Sequence, residues 1–416
     1  MKIGGYIHKY IVSKAVTALL VLLLFSLFVV NVQAQKAYRP IKAALKDKKA
    51  SEALTKVRAL LADTVHASDP VLLEYGIDAS VMQNEALNEK IYLKQKYDTA
   101  QFFQSVLSIA DFIVLSENAI ARAETKSELK QKKKLQARHR VLLARYYQNL
   151  LMGGRYFFTK SKNEEALKYL TLGYDIPKME LWNTPYPVSK SDWLRNAYYA
   201  LKAHYDLGQY DEMQRYVEIA KPDSIYGKPT LEYLCLISMN GGNPAVLRNY
   251  LEEGVKRYPL YPFFFTNLVD DYNSTKEYLK ADSLVEQMLK LDSANAIILE
   301  AKSLVQLNLE NYETAISFAE QSIRTDSAAV ESYYYAGAAY CGLAANVKLP
   351  KSVNSKTYGR QMSQKKALYQ KALPFLETYK KLAPHETQRW GKLLYQVYLT
   401  LNMGSQFREI DKLLNQ

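Results

Sequence analysis

From Leu194 to Ala329 the sequence divides without a gap into four blocks of 34 residues, beginning at Leu194, Lys228, Pro262 and Ala296. Internal repetition with a period of roughly 20 to 50 residues restricts a chain to stacked arrays, because one such unit cannot bury its own apolar face. In the first block Ala200, Leu201, Tyr205, Leu207, Gly208, Gln209, Tyr210 and Ala220 fall where a two-helix unit needs apolar, small and turn residues. In the third, Phe265, Leu268, Val269 and Tyr272 share one helical face, and Tyr278, Ala281 and Met288 share the next. The fold class expected is all-α, made of helix hairpins.

The block at Val330 opens with Tyr333, Ala336, Gly337 and Tyr340. The block at Ala296 carries Asn311-Tyr312-Glu313-Thr314-Ala315 and Ile323, and Pro259 closes the block at Lys228. This period and these residues resemble the tetratricopeptide repeat (TPR) family. Two departures stand out. Met213 and Leu247 replace a small residue at the start of the second helix. In the block at Ala296 the stripe Ile298, Ala301, Val305 sits one residue early, which predicts an extra residue in that turn.

The resemblance implies a right-handed α-solenoid whose first helices line a concave groove. It places Arg195, Tyr198, Lys202, Tyr205 and Asp206 of the first block in that groove, with Glu232, Leu236, Met239 and Asn240 of the second. Phe263, Thr266, Asp270 and Asn273 follow from the third, and Glu331 and Tyr334 from the block at Val330. Aromatic side chains beside mixed charges suit a protein or peptide partner.

The chain has 416 residues, 48% hydrophobic and 23% charged, an ordinary balance for a globular chain with a large core. Its 34 tyrosines are expected mainly as packing in aromatic repeat positions. The formal net charge is +13. A basic excess fits either a solvated surface or an acidic partner, and its spread along the chain favours the former. Cys235 and Cys341 lie in different repeats among apolar neighbours, which predicts two free, buried thiols.

Residues 1–34 read as a signal peptide. Lys2, His8, Lys9 and Lys14 precede the apolar run Ala15–Val30, and Val32-Gln33-Ala34 offers small residues for cleavage before Gln35. The alternative is an uncleaved single-pass anchor, for which the run is near the lower limit of about 17 residues. No cysteine follows that could carry a lipid. The leader resembles those of Gram-negative bacteria and implies export to the periplasm or cell envelope.

Residues 35–140 are expected as a helical N-terminal region, either a cap or degenerate repeats, and 141–416 as the solenoid. Ser68-Asp69-Pro70 marks a helix start, and Asp98 with Gln101 suggests a capping box. The basic run Lys126–Arg140 is taken as a solvated face with Leu129, Leu135 and Leu142 turned inward, and not as a nucleic-acid site. Insertions are expected at 181–193, around Trp182 and Trp193, and at 346–363. Pro374 is expected to kink a helix.

The sequence holds no glycine-rich phosphate loop, no Gly-x-Ser-x-Gly elbow and no His-Glu-x-x-His. Its histidines are scattered, and His204 occupies a packing position. No catalytic residue, cofactor or metal is expected. The function inferred is a non-catalytic scaffold of the cell envelope that binds a protein or peptide; the alternative is a glycan- or peptidoglycan-associated module using the aromatic, basic surface.

Overall fold

The computed structural model of the chain describes residues 36–64, 66–182 and 188–414. The leader and its cleavage site, like Pro185 and Pro187 of the first insertion, lie outside these residues. Every regular element described is helical: α1 (36–46), α2 (Ala50–Leu61), α3 (Pro70–Tyr92), α4 (Thr99–Ile120), α5 (Lys126–Thr159), α6 (Asn163–Asp175), α7 (Lys190–Asp206), α8 (Tyr210–Ala220) and α9 (Gly227–Asn240). Then come α10 (Pro244–Arg257), α11 (Pro262–Ser274), α12 (Tyr278–Leu291), α13 (Ala296–Asn308), α14 (Tyr312–Thr325), α15 (Val330–Asn346), α16 (Tyr358–Leu382), α17 (Thr387–Thr400) and α18 (Gly404–Leu414). The helices form two compact units, divided between Gly227 and Lys228. Within each unit a helix packs on its chain neighbours and on the helix after next.

In the first unit the helix starts follow local chemistry. Asp69 accepts the backbone N–H groups of Val71 at 2.8 Å and Leu72 at 3.4 Å, with Pro70 just inside the helix. Asp98 caps α4 through Ala100 and Gln101, while the reciprocal capping box lies at Thr125 and Glu128 of α5. Val106, Ile109 and Ile113 are fully buried, so α4, although long and apolar enough to cross a membrane, is a core helix here. α5 runs unbroken through Arg140 and Val141, the expected edge of the solenoid. The basic run inside it is not uniformly solvated. Arg138 pairs with Glu74 at 2.6 Å and with Asp78, Arg140 donates to the Leu181 carbonyl at 2.8 Å, and Leu129 is exposed.

The repeat register is visible in the backbone. First helices begin at Pro262, Ala296 and Val330, and second helices at Tyr278 and Tyr312. Between first and second helices one residue enters the left-handed region: Gly208 (φ 71°), Gly242 (φ 66°), Lys276 (φ 61°) and Glu310 (φ 60°), each 34 after the last. A helix C-terminus closed by one such residue turns the chain back in three residues. The fold is therefore an all-α array of TPR-like helix hairpins.

Three expectations are corrected. The block at Ala296 has no extra residue. Its in-phase positions Leu299, Lys302, Ser303 and Gln306 are all buried, and so are Ile298, Ala301 and Val305, so the helix buries a polar stripe in phase beside the apolar one. Lys302 pairs with Asp282 at 2.8 Å and with Glu286, Gln306 donates to Asp282 at 2.5 Å, and Ser303 donates to the Ala315 carbonyl at 2.8 Å. Next, α7 starts at Lys190, capped by the Ser189 hydroxyl, so Trp193 of the first insertion is helical and stacks on Tyr174 at 5.3 Å. Finally, the second insertion is non-helical only over 347–357, because α16 begins at Tyr358 and carries the rest of it. Pro374 sits inside α16 without ending it, and the Thr378 hydroxyl donates to its carbonyl at 2.8 Å.

Candidate partner-binding surface

On α7, Ala197, Leu201 and His204 face the core, as their spacing predicts. The adjacent stripe of Arg195, Tyr198, Lys202 and Tyr205 is only half-exposed, and each side chain has an intramolecular neighbour. Arg195 lies 3.8 Å from Asp192, and Lys202 pairs with Asp206 at 2.7 Å. The Tyr198 ring stacks on Tyr226 at 4.6 Å, and Tyr205 lies 6.0 Å from the Tyr210 ring. This stripe is pre-ordered along one helix.

In the second unit the predicted residues lie on three first helices, and an acidic row joins two of them. Asp270 is the ninth residue of its block, Glu300 the fifth of the next and Glu331 the second of the third, so the row runs diagonally across α11, α13 and α15. Asp270 is exposed at the edge of the row; desolvation by its neighbours, and then the charge of Glu331, hold its carboxyl above the usual range. Burial and Glu331 likewise raise Glu300, against a 3.0 Å hydrogen bond from the Ser332 hydroxyl. Glu331 is clamped at the end of the row. Both terminal nitrogens of Arg389 donate to it, at 3.1 and 2.6 Å, and the Tyr379 hydroxyl donates at 3.2 Å. Arg389 lies 4.1 Å from the centre of the Tyr334 ring, a cation–π geometry.

The remaining predicted residues are held locally. Glu232 accepts a hydrogen bond from Tyr261, whose ring carries Lys228 at 4.4 Å. Phe263 meets Phe264 edge to face at 5.4 Å. Thr266 donates to the Pro262 carbonyl at 2.9 Å, which turns its hydroxyl back on its own helix. Asn273 donates to Val269 and accepts from Asn308, both at 2.8 Å, while Leu236 and Met239 are half-buried and Asn240 is exposed. Glu300 and Arg389 were not foreseen. Glu300 follows directly once the block at Ala296 is read in phase.

The buried ionisable groups are structural. His139 is fully buried, with Nδ1 2.5 Å from Glu117 and Nε2 2.8 Å from Glu74. His204 is 2.8 Å from the Gln209 side chain and stacks on Tyr216 at 5.8 Å, the satisfied packing histidine its position implied. Cys235 and Cys341 are free and buried, and burial above all pushes each thiol up to about 12. Such thiols are poor nucleophiles.

No family model and no curated protein matches the chain. Among solved structures it is similar to MamA from Desulfovibrio magneticus RS-1, with 18% identity over 45% of this chain and 95% of that one, at a TM-score of 0.33. It is also similar to the C-terminal part of a TPR repeat-containing protein from Cytophaga hutchinsonii, with 13% identity over 62% of this chain and 90% of that one, at a TM-score of 0.40. Human IFIT1, solved as a dimer with m7Gppp-AAAA, matches at 12% identity over 80% of this chain and 72% of its own, with a TM-score of 0.37. The TPR-like character of the fold rests on the chain's own 34-residue register rather than on these partial superpositions.

Proposed function

We propose that the chain is a non-catalytic scaffold that holds a protein or peptide on the first-helix faces of its hairpins. Arrays of TPR-like hairpins serve protein interaction in general, but the job of any one array lives in its surface residues. The observation that carries the proposal is the acidic row of Asp270, Glu300 and Glu331, bordered by the Tyr334–Arg389 pair. Asp270 and Glu300, on successive first helices, with Glu331 held by Arg389 at the end of the row, complement a segment with spaced basic side chains. Tyr334 offers an aromatic anchor at one end. The basic start, the apolar run and Val32-Gln33-Ala34 support export, with the partner sought in the envelope of a Gram-negative bacterium.

Affinity capture from envelope fractions tests this. Wild type should retain a partner that the Asp270→Asn/Glu300→Gln variant loses, with both proteins melting alike by circular dichroism. Equal capture by the variant overturns the acidic row as the binding surface. Retention on purified cell-wall polymer instead of protein would move the function to a glycan module. The leader has its own check: N-terminal sequencing of the accumulated protein should begin at Gln35, and an intact Met1 terminus in the membrane fraction would make the segment an anchor.

A further inference from the structure

From Ser332 to Leu376 the sequence contains no aspartate or glutamate. Within that stretch, the connection between α15 and α16 and the first turns of α16 carry Lys348, Lys351, Lys356, Arg360, Lys365 and Lys366. The first four are exposed and the last two half-exposed. None of the six forms an ion pair among the described residues, in contrast to Arg248, Lys302 or Arg389 elsewhere in the same unit. Amid these charges Val353 is 67% exposed, the most exposed apolar side chain on the connection. Ser352, Asn354 and Thr357 surround it with short polar groups, all exposed.

We propose that 346–366 is a docking surface for an anionic lipid bilayer. Five of its six charges are lysines, compact point charges suited to a diffuse negative surface; arginine's planar fork is the group that reads one carboxylate or phosphate in fixed geometry. The only aromatic residue in the segment, Tyr358, is half-buried, so exposed rings on which unpaired bases could stack are missing. With no carboxylate inside the segment, the attraction of each lysine to anionic headgroups adds to the next within a Debye length. Val353 is placed to enter the headgroup layer while the hydroxyl and amide groups beside it meet phosphate and glycerol oxygens. This surface is separate in sequence from the acidic row, so one unit would hold a bilayer and a partner by opposite charges.

The test is co-sedimentation of the full chain with vesicles of phosphatidylcholine alone or mixed with phosphatidylglycerol. Binding is expected to the mixed vesicles and to fall steeply with added salt. Lys348→Ala/Lys351→Ala/Lys356→Ala/Arg360→Ala should weaken it at least about tenfold, since each basic residue near an anionic surface contributes measurably. Val353→Asp should weaken it severalfold, and the charge-preserving Lys348→Arg/Lys351→Arg/Lys356→Arg variant should bind like wild type. All variants should keep the wild-type melting curve. Equal binding to both vesicle types, unaffected by the four alanines, would mean that the apolar run Ala15–Val30 does the binding and would overturn the proposal. So would capture by soluble polyglutamate as strong as by vesicles, with Val353→Asp silent, which would indicate an acidic protein partner.

Discussion

Lys276 and Glu310 hold a backbone conformation that costs an L-residue about 1–2 kcal/mol, at positions where the two preceding repeats use Gly208 and Gly242. Lys276→Gly and Glu310→Gly should each stabilise the chain by about 0.5–1 kcal/mol, after the greater freedom of glycine in the unfolded chain is offset. The midpoint of urea unfolding measures this, and a lower midpoint for both would contradict the turn geometry. His139 makes the opposite kind of residue-scale statement. Both ring nitrogens face carboxylates, so donating to both requires the imidazolium form. Burial alone would lower its pKa, but the hydrogen bonds to Glu117 and Glu74 outweigh burial and raise it above 6.5. Its stabilisation is therefore complete below the unfolded value and lost as pH rises through the folded one. Glu74 is also penalised by burial, yet hydrogen bonds from His139 and Ser116 and the charge of Arg138 lower it below 4.5. Its contribution is present above the unfolded value and lost as pH falls through the folded one. His139→Gln should thus lower Tm strongly near pH 5–6, with the deficit shrinking under alkaline conditions; a deficit constant with pH would refute the imidazolium. Removing one partner of such a buried group typically costs about 3–5 kcal/mol.

Between helices, α15 packs closely on α16. A Cβ at Gly337 would stand 2.6 Å from the Leu376 side chain. Gly337→Leu should cost on the order of 1–3 kcal/mol or more by overpacking, readable as a lower Tm, while the Gly337→Ala/Leu376→Ala double variant should lose less than the sum of the two single losses. Packing of this kind was legible in the sequence because small and apolar residues recur at 34-residue spacing, so Ala336, Gly337, Ala281 and Ala315 identified their own contacts. What escaped was polar. Lys302, Ser303 and Gln306 occupy core positions, and a search for apolar stripes moved the frame by one residue and lost Glu300 with it. Glu74 and Glu117 sit on the same faces as Ile77 and Ile113, yet a carboxylate on an apolar stripe reveals a buried ion pair only when its partner helix is known. Tyr198, placed in the groove by the resemblance, is also a packing residue. Its stack on Tyr226 predicts that Tyr198→Ala costs about 0.5–1.5 kcal/mol beyond the lost area.

Among the described residues, helices pack mainly on near neighbours in the chain, so stability is set locally and spreads along each unit by nearest-neighbour terms. The last helix shows how. Ile410 of α18 is fully buried in a cluster with Trp390, Leu394 and Val397 of α17. Ile410→Ala should cost about 2–5 kcal/mol. Hydrogen exchange should then quicken in α16 to α18 while α10 to α12 keep their protection; uniform acceleration would mean that the second unit opens as one piece. The joint between α12 and α13 obeys a stricter rule. Arrays of this kind grow and shrink in evolution by duplicating or deleting whole blocks, and most joints tolerate it because one apolar face resembles another. Here Asp282 and Glu286 belong to one block and Lys302 to the next. Excision of Pro262–Asn295 in frame would leave the chain continuous and the period intact, with Glu252 in the place of Glu286, yet set Arg248 in the place of Asp282, a like charge against Lys302. The ion pair thus acts as a serial number on that joint, and the two blocks it links can be inherited only together.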